Sequence, residues 1–301
     1  MNSENYILLV VNPISGDCNK STIIASVKEE AKNRNYNFKL YETSGKKDKE
    51  AINSLIKEIN PSRIVVAGGD GTISLVAQCV LGTDICLGII PAGSANGIAV
   101  NFNLPETLLE QIEIALSDCT IKLDAVTING RICLHIADLG LNAELINNYE
   151  NSGIRGKLGY FLQSIPTLLH SESPFQFKVE TEEETFEETG ILLAIANGNK
   201  FGTGANINPH GKMDDGKFEI LIFKNLDFIE IFKTINDQQK MSPDFVRIIS
   251  TNKAKINSKR KVPFQIDGEF LGKIDEVTAS IGKEKILMAV PDSFCKLQLQ
   301  K

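Results

Sequence analysis

The sequence contains no tryptophan, only three histidines, and no pair of cysteines at the C-x-x-C spacing. The histidines are far apart, at positions 135, 170 and 210, which excludes a histidine-rich metal centre. Without C-x-x-C pairs, a structural zinc site is not expected either. The scattered cysteines predict free, mostly buried thiols in a reducing cytosol rather than a disulfide scaffold. They are Cys18, Cys79, Cys86, Cys119, Cys133 and Cys295.

Long apolar runs and an excess of positive charge are also missing. No stretch approaches the roughly 20 apolar residues that cross a bilayer, and the opening residues lack the pattern of a secretory signal. The 301 residues include 32 basic and 38 acidic side chains, a net charge of −6 that disfavours a dedicated nucleic-acid binder. We therefore expect a cytoplasmic protein with no transmembrane segment and no nucleic-acid partner.

The first 123 residues alternate short apolar runs with segments of helical periodicity. Continuously apolar runs of strand length are typical of parallel strands that are buried on both faces. They occur at 6–11, 38–41, 64–67 and 86–90, and helices are predicted over 21–31, 51–59, 72–81 and 105–117. This alternation predicts an α/β fold, a doubly wound parallel sheet, for residues 1–123.

After Asp124 the pattern changes to many short β-rich runs. Two of the runs are joined by Asn129-Gly130, the strongest short signal for a hairpin. One helical segment over 157–169 interrupts the series. We predict a second domain over residues 124–291 that is mainly antiparallel β.

A glycine-rich loop follows the apolar run at 64–67. Its sequence is Gly-Gly-Asp-Gly-Thr at 68–72, between a buried strand and a helix, where a parallel sheet exposes its binding crevice. Glycines let backbone N–H groups approach a phosphate, and a helix N-terminus favours negative charge. Asp70 fits this setting if it holds Mg²⁺ or orients a metal-bound water. For this loop alone, a tight turn with a capping aspartate is the alternative.

Two further loops of similar composition follow other strands, at 11–16 and 91–97. Because all three would open on the same edge of the sheet, together they favour a nucleotide-phosphate site over three ordinary turns. The chain contains no Walker A sequence, and no G-x-G-x-x-G fingerprint follows a strand.

Five motifs in order resemble the diacylglycerol kinase catalytic-domain superfamily, which includes bacterial soluble lipid kinases and the sphingosine and ceramide kinases. The first three are Asn-Pro-x-Ser-Gly at 12–16, Gly-Gly-Asp-Gly-Thr at 68–72 and Pro-x-Gly-Ser-x-Asn at 91–96; Asp-Asp-Gly-Lys at 214–217 and Gln-Ile-Asp-Gly-Glu at 265–269 follow. The resemblance implies an ATP-dependent lipid kinase with a phosphofructokinase-like N-terminal domain and a C-terminal β-sandwich. It also implies that residues 292–301 return to the first domain.

Site residues follow from the resemblance by position. Those implied for the nucleotide are Asn12, Thr43, Gly68, Gly69, Asp70, Gly71, Thr72, Ile73, Ser74 and Ser94. Glu269 is expected to deprotonate the lipid hydroxyl, with Asp267 as the second candidate, and Asp70 completes the catalytic set. Without the family, Asp-Gly-Glu at 267–269 would be read as a hairpin turn, and Thr43 as a helix cap.

The resemblance also implies Mg²⁺. One site, distant from the nucleotide, would use Asp215 and the carbonyls of Lys212 and Lys217, while Asp124 is either a partner of the nucleotide's Mg²⁺ or a turn-forming residue. Gly97 departs from the pattern, because many bacterial relatives carry an aspartate there. The small-residue version is closer to the sphingoid-base kinases, so a diacylglycerol-like and a sphingoid acceptor both stay open.

The expected partner is a lipid substrate at a membrane surface, in phospholipid biosynthesis, with a homodimer left open. Peripheral contact is a hypothesis that rests on the apolar stripe at 160–169 and on a basic cluster formed by Lys253, Lys255, Lys259, Arg260 and Lys261. The alternatives are an ordinary core helix for the stripe and a solvated loop for the cluster. A soluble acceptor such as NAD is the alternative, since NAD kinases share Gly-Gly-Asp-Gly-Thr, but their Thr-Pro-Thr-Gly-Ser-Thr motif is missing. A catalytically silent regulator is disfavoured because the acidic residues are present.

Overall fold

The computed structural model describes residues 5–16, 18–94, 96–143, 174–201, 205–225, 227, 230 and 241–298. The chain divides into two compact units, one formed by Met1–Leu123 with Glu284–Lys301 and the other by Asp124–Lys283. None of the helices within these ranges combines the length and the hydropathy that a membrane-spanning segment requires. The predicted helix over 157–169 lies outside them.

The first unit contains a six-stranded sheet. Its strands are β1 (Tyr6–Val11), β2 (Asn37–Glu42), β3 (Arg63–Gly68), β4 (Cys86–Pro91), β5 (Thr120–Leu123) and the last strand of the chain, β18 (Ile286–Ala289). The spatial order is β2-β1-β3-β4-β18-β5. All neighbours are parallel except β18 and β5, so the predicted parallel sheet is confirmed, with an antiparallel strand at one edge.

Helices cover this sheet because their apolar residues recur at helical spacing. They are α1 (Lys20–Asn33), α2 (Asp48–Ile59), α3 (Asp70–Val80), α4 (Gly97–Asn101), α5 (Leu108–Ala115) and α6 (Asp292–Gln298). Ile23, Val27 and Ala31 of α1 are buried against the apolar strands. Helix α5 packs directly on β4 at Gly88, where a Cβ atom would lie 2.5 Å from the carbonyl oxygen of Ala115.

Two predictions for the C-terminal part of the chain are wrong. Residues 284–291 belong to the first unit, because β18 inserts between β4 and β5 with Met288 opposite Leu87 and Ile121. The apolar run predicts a strand, but nothing local to it identifies its partners. Cys119 and Cys295 form a disulfide with their Cα atoms 5.9 Å apart, although all six cysteines were expected to be free. The pair is 176 residues apart in sequence, so only the returning chain brings it together.

The second unit is built from antiparallel strands. They are β6 (Val126–Ile128), β7 (Arg131–Cys133), β8 (Ile136–Gly140), β9 (Phe175–Thr181), β10 (Thr185–Gly190), β11 (Leu192–Ala196), β12 (Lys200–Phe201), β13 (Ala205–Asn206), β14 (Phe218–Phe223), β15 (Val246–Thr251), β16 (Lys253–Ile266) and β17 (Glu269–Ile281). The large sheet follows the order β15-β14-β11-β8-β16-β17-β6-β7, and β9 and β10 attach to it through β16. Strand β16 pairs with β9 near its start and with β8 near its end. The strands on the β9 side and those on the β8 side therefore diverge, and an apolar core lies between them.

The sequence pattern misjudged the longest hairpin of this unit. Two of the short β-rich runs that follow Asp124, at 255–257 and 264–266, belong to one strand, β16, whose pairing with β17 shifts register between Asn257 and Val262 and again between Pro263 and Gln265. Its partner β17 was missed because charged residues dilute its alternation. The predicted hairpin at Asn129-Gly130 is confirmed, with both residues at positive φ between β6 and β7.

Candidate functional site

Three loops meet where the parallel strands β1, β3 and β4 end. We name them the Asn12 loop (residues 12–16), the Asp70 loop (residues 68–72) and the Asn96 loop (residues 92–96). The backbone N–H of Asn12 donates to the carbonyl of Ala67 at 3.0 Å, and that of Ala92 donates to Gly68 at 2.9 Å. The side-chain amide of Asn12 also donates to Oγ1 of Thr72 at 3.2 Å. The three loops predicted to share one edge of the sheet are therefore bonded to one another.

Glycines allow this close approach. A Cβ atom on Gly93 would lie 2.4 Å from the Cα of Gly69, and one on Gly16 would lie 2.7 Å from the carbonyl oxygen of Ala92. Gly71, in the first turn of α3, is different, because a Cβ atom there would meet nothing within 4 Å. Gly69 and Gly93 thus hold two loops together, while Gly71 faces open space beside the start of a helix.

Asp70 links the Asp70 loop to the helix that follows the Asn96 loop. Its Oδ2 accepts a hydrogen bond from the backbone N–H of Gly97 at 2.8 Å, and its Oδ1 accepts one from Ile98 at 3.0 Å. Asn96, at a φ of +56°, closes its own loop through two hydrogen bonds with Gly93. Both oxygens of Asp70 therefore position backbone, a role that the sequence analysis did not foresee.

Three other residues that were predicted to bind the nucleotide differ in which of their groups a ligand can reach. Thr43 follows β2, and its N–H donates to the carbonyl of Val11 at 2.8 Å, which places it on the same edge of the sheet. Ser94 is exposed in the Asn96 loop. The side chain of Ile73 is fully buried in the core, so this residue can offer a ligand only its backbone.

Asp48 shapes the segment after Thr43, and sequence reasoning missed it. Its carboxylate accepts hydrogen bonds from the N–H groups of Ser44 and Gly45 at 2.9 and 2.8 Å and from the hydroxyl of Tyr41 at 2.7 Å. Burial, together with the neighbouring carboxylate, raises the pKa of Tyr41 to about 12. The signal that could have revealed Asp48 is an aspartate three residues after a glycine at the start of an apolar helix.

The loops suit a phosphate ligand. Several N–H groups at the start of a helix have no acceptor within that helix, and such groups favour an anion. In α3 the N–H groups of Thr72 and Ile73 donate to the carbonyl of Gly69, and the first turn borders the open space at Gly71. A carboxylate cage for a metal is not found: in the described part of the chain, no three His, Cys, Asp or Glu residues group together around a common point. Mg²⁺ usually keeps waters and binds one or two carboxylates plus substrate phosphates, so it does not need such a cage.

The turn between β16 and β17 separates the two predicted catalytic acids of the second unit. Asp267 accepts hydrogen bonds from the N–H groups of Leu134, His135 and Ile136 at 2.9, 3.0 and 3.1 Å, and burial raises its pKa. Glu269 is 72% exposed, with an ion pair of 3.7 Å to Arg131. Asp267 is thus engaged in holding the backbone, whereas the Glu269 carboxylate is accessible.

Asp138 in β8 is a buried acid that the sequence analysis did not select. Its Oδ2 accepts hydrogen bonds from the side-chain amides of Gln265 and Asn142, both at 2.5 Å. Burial raises the pKa of Asp138 to about 7, although these hydrogen bonds oppose the increase. An aspartate within the apolar run at 136–141 was the available signal.

The two metal candidates of the second unit, considered separately in the sequence, are in contact. Oδ2 of the buried Asp124 accepts a hydrogen bond from the N–H of Gly216 at 2.7 Å, inside the Asp-Asp-Gly-Lys turn. Oδ1 of Asp215 accepts one from the N–H of Lys217 at 3.0 Å. The N–H of Asp124 donates to the carbonyl of Met213, next to Lys212, at 2.7 Å. Asp124 therefore holds the backbone of this turn.

Comparison with known families assigns both units. Residues 6–128 match the diacylglycerol kinase catalytic domain, and residues 137–287 match the YegS C-terminal NAD kinase beta sandwich-like domain. The fold and these two domains define a kinase of the class with an α/β catalytic domain and a β-sandwich-like C-terminal domain. The chain belongs to the diacylglycerol kinase catalytic-domain family, in its branch with a YegS-type C-terminal domain.

Individual relatives agree with this assignment. A protein of Chromohalobacter salexigens named "Probable lipid kinase YegS-like" is 28% identical over 70% of this chain and 71% of its own. The "Diacylglycerol kinase" of Bacillus subtilis is 25% identical over 88% and 89%. Among solved structures, a diacylglycerol kinase from Bacillus anthracis has a TM-score of 0.71 at 17% identity, over 97% of this chain and 99% of that one. An NAD kinase from Archaeoglobus fulgidus in complex with ATP scores 0.52 at 13% identity, over 94% and 93%.

Substitution of two glycines by alanine separates packing from ligand binding. Gly93→Ala forces the Asn96 loop away from Gly69 and should lower the free energy of unfolding by about 1–3 kcal/mol. Gly71→Ala meets nothing in the protein, so it should leave stability unchanged or raise it by up to ~1 kcal/mol, yet weaken ATP binding. Denaturation curves and ATP titration calorimetry measure both effects. Unchanged ATP affinity in Gly71→Ala would place the phosphates elsewhere.

The stability of the protein should depend on pH through Asp138. Its pKa rises from 3.8 in an unfolded chain to about 7 in the fold, so the folded state holds the proton more tightly. The stabilisation is complete below about pH 4 and is lost as the pH rises through about 7. Between pH 5 and pH 8 the wild type should lose about 2–3 kcal/mol relative to Asp138→Asn. Urea denaturation at both pH values tests this, and identical pH dependence of the two proteins would contradict it.

Proposed function

We propose that this protein is an ATP-dependent lipid kinase, which transfers the γ-phosphoryl group of ATP to the hydroxyl of a diacylglycerol-like or sphingoid lipid. The observation that carries the proposal is the set of three bonded loops at the ends of β1, β3 and β4. The family supports a kinase, and the names of the relatives support a lipid acceptor. The ATP complex of the NAD kinase with the same fold supports ATP as donor.

Each residue set has a defined part in this proposal. The N–H groups at the start of α3 and the open space at Gly71 receive the phosphates, and Asp70 keeps the Asn96 loop in place beside them. Glu269 removes the proton of the lipid hydroxyl, whose oxygen bonds to the γ-phosphorus while the bond from that phosphorus to the bridging oxygen of ADP breaks. Mg²⁺ bound with ATP would neutralise charge on the phosphates.

A soluble acceptor such as NAD is the second candidate. The observation in its favour is the fold shared with the NAD kinase, together with Gly-Gly-Asp-Gly-Thr at 68–72. The order of motifs in this chain, however, is the one that resembles the lipid branch. A diacylglycerol acceptor would place the reaction in phospholipid biosynthesis.

Radiolabelled ATP offered with diacylglycerol or sphingosine in mixed micelles, and separately with NAD, tests the proposed function. We expect label in a lipid, with a turnover reduced roughly 10²- to 10⁴-fold in Glu269→Gln because the base is lost. Asp70→Asn should also reduce turnover by orders of magnitude, because the side-chain nitrogen of asparagine cannot replace one of the two carboxylate oxygens that accept from Gly97 and Ile98. Glu182→Gln, at an exposed acid in the turn between β9 and β10, is the matched control and should be unaffected.

Label in NAD and none in any lipid would show that the acceptor is soluble, which is the second candidate function. Rates like those of the wild type in both Glu269→Gln and Asp70→Asn, on the lipid that accepts label, would discard the roles given to these residues.

We propose membrane contact through part of the basic cluster, because two of its cations already have partners within the protein. Lys255 forms an ion pair with Glu276 at 2.8 Å, and Arg260 donates to the carbonyl of Pro174 at 2.9 Å. Lys259, Arg260 and Lys261 are adjacent exposed cations on β16. The apolar stripe at 160–169 lies outside the described residues, and a homodimer stays a prediction.

Replacing Lys259, Arg260 and Lys261 together by alanine should weaken partitioning onto vesicles of anionic phospholipid by about tenfold or more, because each cation near the surface contributes about 1 kcal/mol. Sedimentation with vesicles at low and high salt measures it, and Lys255→Ala, which removes a paired lysine, serves as the comparison. Equal partitioning of the triple variant and the wild type would remove the basis for this surface.

A further inference from the structure

A chain of hydrogen bonds connects buried Asp138 to the turn that precedes Glu269. Gln265 in β16 is 1% exposed, and it lies opposite Asp138 where β16 pairs with β8. Its side-chain oxygen accepts a hydrogen bond from the N–H of Gly268 at 2.7 Å. Its side-chain nitrogen donates to Oδ2 of Asp138 at 2.5 Å. One side chain therefore contacts both the interior acid and the turn.

The direction of this chain is fixed by its ends. The backbone N–H of Gly268 can only donate, so the amide oxygen of Gln265 must face the turn. The amide nitrogen then faces Asp138, which must accept at Oδ2. The same oxygen accepts from Asn142 at 2.5 Å. Oδ2 can accept whether or not the other oxygen of Asp138 carries a proton, so the chain persists as Asp138 titrates.

Because the hydrogen bonds of Gln265 and Asp138 are buried, the loss of either partner should be costly. Water does not reach Gln265 or Asp138, so a partner that is removed is not replaced by solvent. The turn itself has two residues at positive φ, Asp267 at +47° and Gly268 at +87°. Asp267 attaches one side of the turn to the backbone of residues 134–136. Gln265 attaches the other side, so the turn is held from both directions and Glu269 follows it directly.

We propose that Gln265 and Asp138 are positioning residues that set the orientation of the Glu269 carboxylate through the Gly268 turn. This inference rests on the proposed function, in which Glu269 is the base. A base displaced by about 1 Å can lose roughly 10²-fold in rate. Within the motif at 265–269, Gln265 and Asp267 therefore hold the turn, and the turn orients Glu269 towards the substrate.

The first test measures kcat and the KM for ATP. Gln265→Met keeps the length of the side chain without its hydrogen-bonding groups, and Asp138→Leu removes the acceptor; each should lower kcat roughly 10- to 100-fold and leave the KM for ATP unchanged. Asp138→Asn keeps an acceptor oxygen and should restore most of the rate. The double variant Gln265→Met with Asp138→Leu should be no slower than Gln265→Met, because Asp138 acts through Gln265.

Thr251→Val is the control. Thr251 is buried near the other end of β16 and donates to the carbonyl of Lys253 at 2.9 Å, so this variant removes a buried hydrogen bond that does not reach the turn. It should keep the kcat of the wild type. A loss of kcat in Thr251→Val as large as in Gln265→Met, or effects of the Gln265 and Asp138 changes that simply multiply, would overturn the proposal.

The second test needs no substrate. Hydrogen exchange of the Gly268 amide, measured by NMR, should be at least tenfold faster in Gln265→Met and Asp138→Leu than in the wild type and Asp138→Asn. Unchanged exchange in Gln265→Met would overturn the positioning role. If the wild type phosphorylates no acceptor while these exchange rates change as expected, the proposed function is wrong. The conclusion that Gln265 and Asp138 fix the Gly268 turn would still be supported.

Discussion

The structure of the candidate nucleotide site depends on a contact between two glycines. Gly69 and Gly93 lie so close that a single methyl group on Gly93 would fall 2.4 Å from the Cα of Gly69. This approach joins the loop after β3 to the loop after β4, and it brings the N–H groups of Gly97 and Ile98 within reach of Asp70. The start of α3 is then left open on the side where Gly71 lies. An ordinary side chain at Gly93 would force the two loops apart.

The second unit uses carboxylates in two different ways over three residues. Asp267 faces inward and takes three backbone N–H groups, while Glu269 faces outward with most of its surface exposed. Asp124 repeats the first of these uses at the Asp-Asp-Gly-Lys turn. In this unit, several acids that resemble catalytic or metal-binding residues in the sequence are the anchors of tight turns. The Glu269 carboxylate beside them is the accessible one.

Local pattern was enough to predict much of the fold. Residues 7–11 of β1 and 64–67 of β3 are continuously apolar because both faces of the sheet are covered, and that signal is contained within six residues. The partners of β18 and the disulfide between Cys119 and Cys295 depend on where distant segments meet, and no local pattern encodes that. The 13-residue strand β17 was missed for a related reason. Its charged positions interrupt the apolar alternation, and its strand structure depends on pairing with β16.

The candidate site follows the same division. The positions of the three loops were predictable, because glycines after apolar runs mark strand ends in a parallel sheet. What each carboxylate touches was not: Asp70, Asp48 and Asp138 are defined by backbone and side-chain donors that lie up to 127 residues away in the chain. The resemblance to a family selected Asp70 as a candidate but neither Asp48 nor Asp138, and the contacts of all three come only from the fold.

Backbone hydrogen exchange with and without a non-hydrolysable ATP analogue measures whether the three loops bind one ligand. We expect simultaneous protection of residues 12–16, 68–72 and 92–96, because one ligand would cover all three loops. Protection confined to a different surface, or to only one of these loops, would contradict it.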